Sequence, residues 1–185
     1  MTILTNQNLL PVVTYENAEP EARVTFDALK RQVGFVPNLY ASFANSAHAL
    51  NGNLAFDAEL GKGVFGNVER EIIKLASSQS NNCAYCIAAH TAILKMNKLD
   101  DAETLNVRRG TASNAKHAAL AKLAYEITET RGRPNTESLN AFFEVGYTHA
   151  ALAELIGVVA VNIMNNYTHH IGQAEIDFPA PPTLD

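Results

Sequence analysis

The stretch Asn81-Asn82-Cys83-Ala84-Tyr85-Cys86-Ile87-Ala88-Ala89-His90 contains both cysteines of the chain and a histidine at helical spacing. Cys83 and Cys86 are three residues apart, and Cys86 and His90 are four apart. Side chains at these spacings share one face of a helix. We therefore predict that two thiols and an imidazole lie together near the N-terminus of one helix.

Thiols at this spacing can form a disulfide, and the unpaired N–H groups of a first helical turn favour a thiolate over a thiol. The triplet therefore predicts redox chemistry. Two other interpretations stay open. The cysteines could be small buried apolar residues. They could also bind zinc with His90 and a distant histidine, although the chain has no second cysteine pair to complete a four-ligand shell.

The composition is that of a globular protein, with 47% apolar and 18% charged residues among 185. The length fits one domain, 1–185, with a core at about 20–171 between an extended lead and tail. A net charge of -5 and no basic cluster exclude a nucleic-acid backbone as a partner. We expect no signal peptide, no membrane span and a cytoplasmic location. In that reducing compartment, a cysteine pair is catalytic or redox-sensing more often than structural.

The pattern of apolar residues, caps and breakers predicts an all-α fold without strands. Asn67 and Asn82 are candidate N-caps, and the segment 152–164 is apolar nearly all round. The predicted helices cover residues 20–33, 39–45, 48–60, 68–80, 83–97, 100–110, 113–130, 136–145 and 148–171.

Glu71 lies on the helix before the cysteines, next to its apolar stripe, so we predict that its carboxylate is at the edge of the buried face. An exposed Glu71 paired with Lys74 is the alternative. A degenerate helical repeat becomes visible when Glu71 is aligned with Glu154, because an Asn-Asn pair follows each at Asn81-Asn82 and Asn165-Asn166. Chance similarity between two helices is the other explanation.

The segment from Glu69 to His90 resembles a known family signature. Glu71 is followed, after eleven residues, by Cys83-x-x-Cys86-x-x-x-His90. This pattern is similar to that of the alkylhydroperoxidase D-like, or carboxymuconolactone decarboxylase-like, superfamily, closely over residues 67–97 and loosely from about residue 20. The ending 165–179 resembles a branch of uncharacterised peroxidase-related proteins.

The resemblance implies an all-helical fold, trimers or hexamers, and a thiol-dependent peroxidase or disulfide-reducing activity without a metal or organic cofactor. It also implies that Glu71, Cys83, Cys86 and His90 are the proton-relay and redox residues. This chain departs from alkylhydroperoxidase D at Tyr85, where that protein has a histidine. Part of the relay is therefore absent here, and dithiol redox activity is the firmer expectation.

The leading hypothesis is an antioxidant oxidoreductase in which Cys86 attacks a hydroperoxide, Cys83 resolves the sulfenic acid, and a separate thiol reductant regenerates the pair. The helix N-terminus favours Cys83 as the first nucleophile, but a nearby His90 lowers a thiol pKa more strongly and favours Cys86. The substrate could instead be a partner disulfide. A decarboxylase-like lyase and a non-catalytic redox sensor or interaction module are the alternatives.

Overall fold

The structure, a computed structural model, describes residues 9–184. Within that range the chain forms nine α-helices and no strand, which confirms the predicted all-α class. The helices are α1 (Pro20–Val33), α2 (Asn38–Phe43), α3 (Ala47–Leu60), α4 (Asn67–Ser80), α5 (Ala84–Met96), α6 (Asp101–Arg108), α7 (Ala115–Glu129), α8 (Thr136–Glu144) and α9 (His149–Gly172).

The ends of α1 follow from its sequence. Pro20 occupies the first turn, where its missing N–H leaves no hydrogen bond unmade. Gly34 adopts a left-handed conformation with φ of 88° and donates its N–H to the Lys30 carbonyl. A residue without a Cβ takes this conformation at little cost, so the helix ends here as predicted.

Both predicted asparagine caps are wrong by one residue. The N-cap of α4 is Gly66, whose N–H donates to the Glu69 carboxylate at 3.0 Å, and Asn67 is the first helical residue. Asn82 has a φ of 54° and forms the left-handed turn between α4 and α5. Asparagine tolerates that conformation better than most residues do, so it makes the turn and the cap passes to Cys83.

Two apolar clusters meet at α5. The larger one joins α4, α7, α8 and α9, and α5 adds Ile87 and Leu94 to it. The smaller one joins α1, α2 and α3, and α5 adds both cysteines, Tyr85 and Ala89. The cysteine helix therefore lies at the boundary between the two halves of the core, with each half covering one side of it.

The longest helix, α9, packs one side into the molecule. Of the described residues, only this helix has the length and composition of a possible membrane span, but 44% of its most apolar window is buried inside the chain. Its buried side also carries Asn162 and Asn166, which hydrogen-bond to α4. These contacts place one side of α9 in the interior of the molecule, and its apolar residues there are part of the core.

Candidate redox site

Cys83 and Cys86 form a disulfide across the first turn of α5, with their Cα atoms 5.3 Å apart. Both residues are almost completely buried. The Cys83 N–H donates to the Ser78 carbonyl at 3.0 Å, and the Cys86 N–H donates to the Cys83 sulfur at 3.3 Å. The cysteine pair is thus a bonded pair at a helix N-terminus, where an N–H group also stabilises a Cys83 thiolate.

His90 is held between Glu71 and Asn162. Its Nδ1 is 2.7 Å from Glu71 Oε2, and its Nε2 is 3.1 Å from Asn162 Oδ1. The Asn162 amide nitrogen donates to the Lys74 carbonyl and to Ser78 Oγ, which fixes the amide oxygen toward His90. Both partners of His90 therefore present oxygen acceptors, and the ring is held by Glu71 on one side and by Asn162 on the other.

Glu71 also lies beside a buried cation. Its side chain is only 13% exposed, and its carboxylate is 3.7 Å from Lys74 Nζ. Glu71 therefore lies at the edge of the buried face of α4 and is also close to Lys74. Burial of the carboxyl opposes ionisation, but the charge and hydrogen bond of His90 and the charge of Lys74 outweigh it. The pKa of Glu71 is therefore lowered below its ordinary value, and the carboxylate is ionised at neutral pH.

Asp57 on α3 joins this network. It accepts from Lys74 Nζ at 2.9 Å and from Arg70 Nη2 at 2.9 Å. Burial acts to raise the pKa of Asp57, but Lys74 and Arg70 together lower it. Two cations, Lys74 and Arg70, therefore lie among the two carboxylates of Asp57 and Glu71 beside His90.

A cavity of about 490 Å³ borders this network. Cys86, His90, Glu71 and Lys74 line it, whereas Cys83 lies behind Cys86 in the core. The other lining side chains are mostly apolar, among them Leu29, Phe35, Ile93, Met96 and Phe178. Of the two cysteines, Cys86 therefore borders the cavity and Cys83 does not.

The four predicted site residues form two bonded pairs, Cys83 with Cys86 and Glu71 with His90. Within residues 9–184, no hydrogen bond links His90 to either sulfur. The same described part of the chain has no group of three or more His, Cys, Asp and Glu side chains arranged to hold a metal ion.

Sequence reasoning missed Asn162 and Asp57, which complete the setting of Glu71 and His90. The one available signal for Asn162 was an amide side chain among the mainly apolar residues of segment 152–164, in which Glu154 is the other polar residue. Asp57 gave no signal, because it lies 17 residues before Lys74 on a different helix. Its role follows only from the packing of α3 against the rest of the site.

Comparison with protein families and with solved structures shows which known proteins the chain is similar to. Residues 45–129, which include the whole cysteine motif, match the model of the carboxymuconolactone decarboxylase family. No curated protein matches the chain significantly by sequence.

Several solved structures share the fold. An uncharacterized peroxidase-related protein from Silicibacter sp. TM1040 is 20% identical with a TM-score of 0.77, over 94% of this chain and 95% of its own. An alkylhydroperoxidase AhpD core from Ralstonia eutropha JMP134, also an uncharacterized peroxidase-related protein, is 22% identical with a TM-score of 0.80, over 90% of each chain. A debrominase, solved as a cysteine-to-alanine variant with 2,3,4-tribromopyrrole, is 14% identical with a TM-score of 0.79, over 94% of each chain.

These findings confirm the resemblance that the motif predicted. The chain has the alkylhydroperoxidase D-like fold, and residues 45–129 match the model of the carboxymuconolactone decarboxylase family. Solved proteins of this fold include peroxidase-related proteins and a debrominase, so the fold itself does not select one reaction.

Proposed function

We propose that the protein is a thiol-dependent oxidoreductase that reduces an organic hydroperoxide, or a disulfide on a partner protein, with the Cys83–Cys86 pair. The observation that supports this proposal most directly is the position of Cys86, which is bonded to Cys83 and borders the cavity. A thiol in that position meets a substrate on one side and its resolving partner on the other.

In the peroxidase reaction, the Cys86 thiolate attacks one oxygen of the substrate, an S–O bond forms and the O–O bond breaks. The alkoxide leaves and takes a proton, which gives an alcohol and Cys86 sulfenic acid. The Cys83 thiol then attacks the Cys86 sulfur, the S–O bond breaks, and the leaving hydroxide takes the Cys83 proton to become water as the disulfide forms. A dithiol reductant supplies the two electrons that return the disulfide to two thiols.

His90 and Glu71 would handle the proton in this reaction. In the reduced protein a neutral His90 would take it from the Cys86 thiol at Nε2, the nitrogen that contacts Asn162 in the disulfide form, and the ionised Glu71 at Nδ1 would stabilise the imidazolium that results. The alkoxide then takes this proton as it leaves, which returns His90 to its neutral form.

A thiol titration under anaerobic conditions tests the proposal. The reduced protein should contain two titratable thiols, and one equivalent of cumene hydroperoxide should remove both. Steady-state consumption of the peroxide with a dithiol reductant should follow, and Cys86→Ser should abolish it. Loss of both thiols without turnover would indicate a redox sensor, and two unreacted thiols would contradict the proposal.

A second reaction is favoured by the apolar cavity and by the debrominase with the same fold. The same dithiol could reduce a brominated ring, in which case the C–Br bond breaks, C–H forms, bromide leaves and the thiols become a disulfide. Bromide release from 2,3,4-tribromopyrrole with a dithiol reductant tests this reaction.

A decarboxylase-like lyase reaction needs no thiol oxidation, so a lyase activity that survives replacement of both cysteines would identify it. A cytoplasmic location, where reductants are available, remains part of the proposal.

A further inference from the structure

The chain after α9 is tied to the site by Asp177. One carboxylate oxygen, Oδ1, accepts from the Tyr85 hydroxyl at 2.6 Å, and the other, Oδ2, accepts from the Asn38 N–H at 2.7 Å. The Asn38 side chain also donates to the Glu175 carbonyl at 3.1 Å. Burial and the hydrogen bond to Asp177 raise the pKa of Tyr85, so its hydroxyl stays protonated and continues to donate.

This attachment places Phe178 in the wall of the cavity. The Phe178 ring packs against Tyr85 at 5.6 Å and against Phe35 at 5.8 Å between ring centroids. Phe178, Tyr85 and Phe35 all border the cavity that Cys86 lines. The end of the chain therefore contributes a large apolar surface to the space in front of the reactive sulfur.

We propose that Phe178 is a fixed part of the wall of the substrate cavity and determines the size of molecule that reaches Cys86, and that Tyr85 and Asp177 hold Phe178 in position. This deepens the proposed function and rests on it for any kinetic consequence. It also explains Tyr85, the residue at which the motif departs from alkylhydroperoxidase D. In this chain that position holds the end of the chain in place through an O–H donor.

The test measures binding to the oxidised protein, so its outcome does not depend on turnover. The probes are 2-phenyl-2-propanol and its bulkier analogue 2-(biphenyl-4-yl)-2-propanol, each titrated by calorimetry. Phe178→Ala should shift the affinity ratio toward the bulkier probe by on the order of tenfold, because the ring that limits the cavity is gone. Tyr85→Phe, which keeps the ring and removes the hydroxyl, should shift the ratio in the same direction by less.

Arg108→Met is the matched control, because Arg108 Nη1 donates to the Pro182 carbonyl at 2.6 Å and so ties down the chain beyond Phe178. This variant should leave the ratio unchanged. An unchanged ratio in Phe178→Ala, or no binding of either probe to the wild-type protein, would overturn the proposal. If the affinity ratio shifts as expected while no peroxide is reduced, the role of Phe178 in the cavity wall is supported and only the proposed function fails.

Asn165 supports a second inference, independent of the first. Its residue is 7% exposed, it borders the same cavity, and its side-chain Oδ1 accepts no hydrogen bond from any described residue. A buried amide oxygen without a donor destabilises the folded protein. We infer that Asn165 Oδ1 accepts a hydrogen bond from an O–H or N–H group of the bound molecule.

Two probes of similar shape isolate this contact, 2-phenyl-2-propanol and isopropylbenzene, which lacks the hydroxyl. Asn165→Leu should weaken binding of the alcohol by about tenfold and leave the hydrocarbon unchanged, since only the alcohol donates. The control is Thr91→Val, because Thr91 Oγ1 is also buried and unpartnered but does not border the cavity. An alcohol affinity that is the same in Asn165→Leu as in the wild type would contradict the assignment.

Discussion

Glu71 carries a buried negative charge at the centre of the site. Its carboxylate lies 2.7 Å from His90 Nδ1 and 3.7 Å from the ammonium of Lys74. Removing its charge leaves buried cations with fewer counter-charges, which costs more stability than the loss of one surface ion pair. At the scale of single residues, Glu71 therefore has both a structural and a chemical role.

We predict that Glu71→Gln lowers the free energy of unfolding at neutral pH by about 1–3 kcal/mol and lowers peroxide turnover. In the wild type, the pKa of Glu71 is lower in the folded chain than in the unfolded chain, where it has its ordinary value of about 4.5. The ionised carboxylate therefore contributes its full stabilisation above a pH of about 4.5, and this stabilisation is lost as the pH falls below that value. Denaturant unfolding of both proteins from pH 7 to 3 measures it. The stability difference should shrink as the medium becomes more acidic, and a difference that grows would contradict the ionised Glu71.

The spacing of Cys83, Cys86 and His90 made most of this site predictable, because a helix converts spacings of three and four residues into one face. The contact between Glu71 and His90 came from family resemblance and was found in the structure. Asn162 could not be predicted in the same way. It is 72 residues from His90, and the contact depends on how α9 crosses α5.

At the scale of elements, a row of polar side chains joins α9 to α4 and α5. Asn162 contacts His90, Lys74 and Ser78, and Asn166 one turn later accepts from Asn81 at 2.8 Å. This last contact brings together members of the two Asn-Asn pairs that the sequence aligned as a repeat. The row fixes α9 against α4 and α5 and so sets the position of the site.

We predict that Asn162→Leu and Asn166→Leu both destabilise the fold, by about 1–3 kcal/mol each, because both leave buried polar partners unsatisfied. Only Asn162→Leu should change the pH dependence of turnover, since Asn162 alone of the two accepts from His90. Thermal unfolding and pH–rate profiles of the two variants separate these effects. Equal pH–rate profiles would show that Asn162 acts through packing only.

The order and extent of the helices followed closely from the sequence, because Pro20, Gly34 and the polar N-caps act locally. The predicted caps at Asn67 and Asn82 failed because the turns that precede α4 and α5 depend on left-handed or extended backbone that periodicity does not reveal. The chain after Gly172 was expected to be extended or loose. It is without helix, but Asp177 and Phe178 fix it through contacts with residues about 90 positions earlier.

At the scale of the whole molecule, α9 leaves an apolar stripe in solvent. Ile156 is 52% exposed, Met164 42%, Tyr167 53% and Ile171 54%. Their spacing puts them on one side of the helix, opposite the polar row. The segment 152–164 is apolar nearly all round in the sequence, and within the described chain only one side of it is covered. A second copy of the chain is the occupant that we propose, in line with the oligomers that the family resemblance implies.

We predict a homo-oligomer in solution, a trimer or hexamer, whose contact includes this stripe. The double variant Ile156→Lys, Met164→Lys should shift sedimentation toward the 20.0 kDa monomer at micromolar concentration, because two charges would enter an apolar contact. Val24→Lys is the control, since Val24 is 68% exposed on α1 and away from the stripe. A monomeric wild type, or an oligomer whose sedimenting mass the double variant leaves unchanged, would contradict this assembly.

The account depends most on the claim that Cys86 meets the substrate and Cys83 resolves it. The single variants Cys83→Ser and Cys86→Ser, each treated with one equivalent of cumene hydroperoxide and a sulfenic-acid trap, test that claim by mass spectrometry. We predict a trapped sulfenic acid on Cys86 in Cys83→Ser and none in Cys86→Ser, because Cys86 borders the cavity and Cys83 is packed behind it. A trapped sulfenic acid on Cys83 in Cys86→Ser, with none on Cys86 in Cys83→Ser, would contradict it.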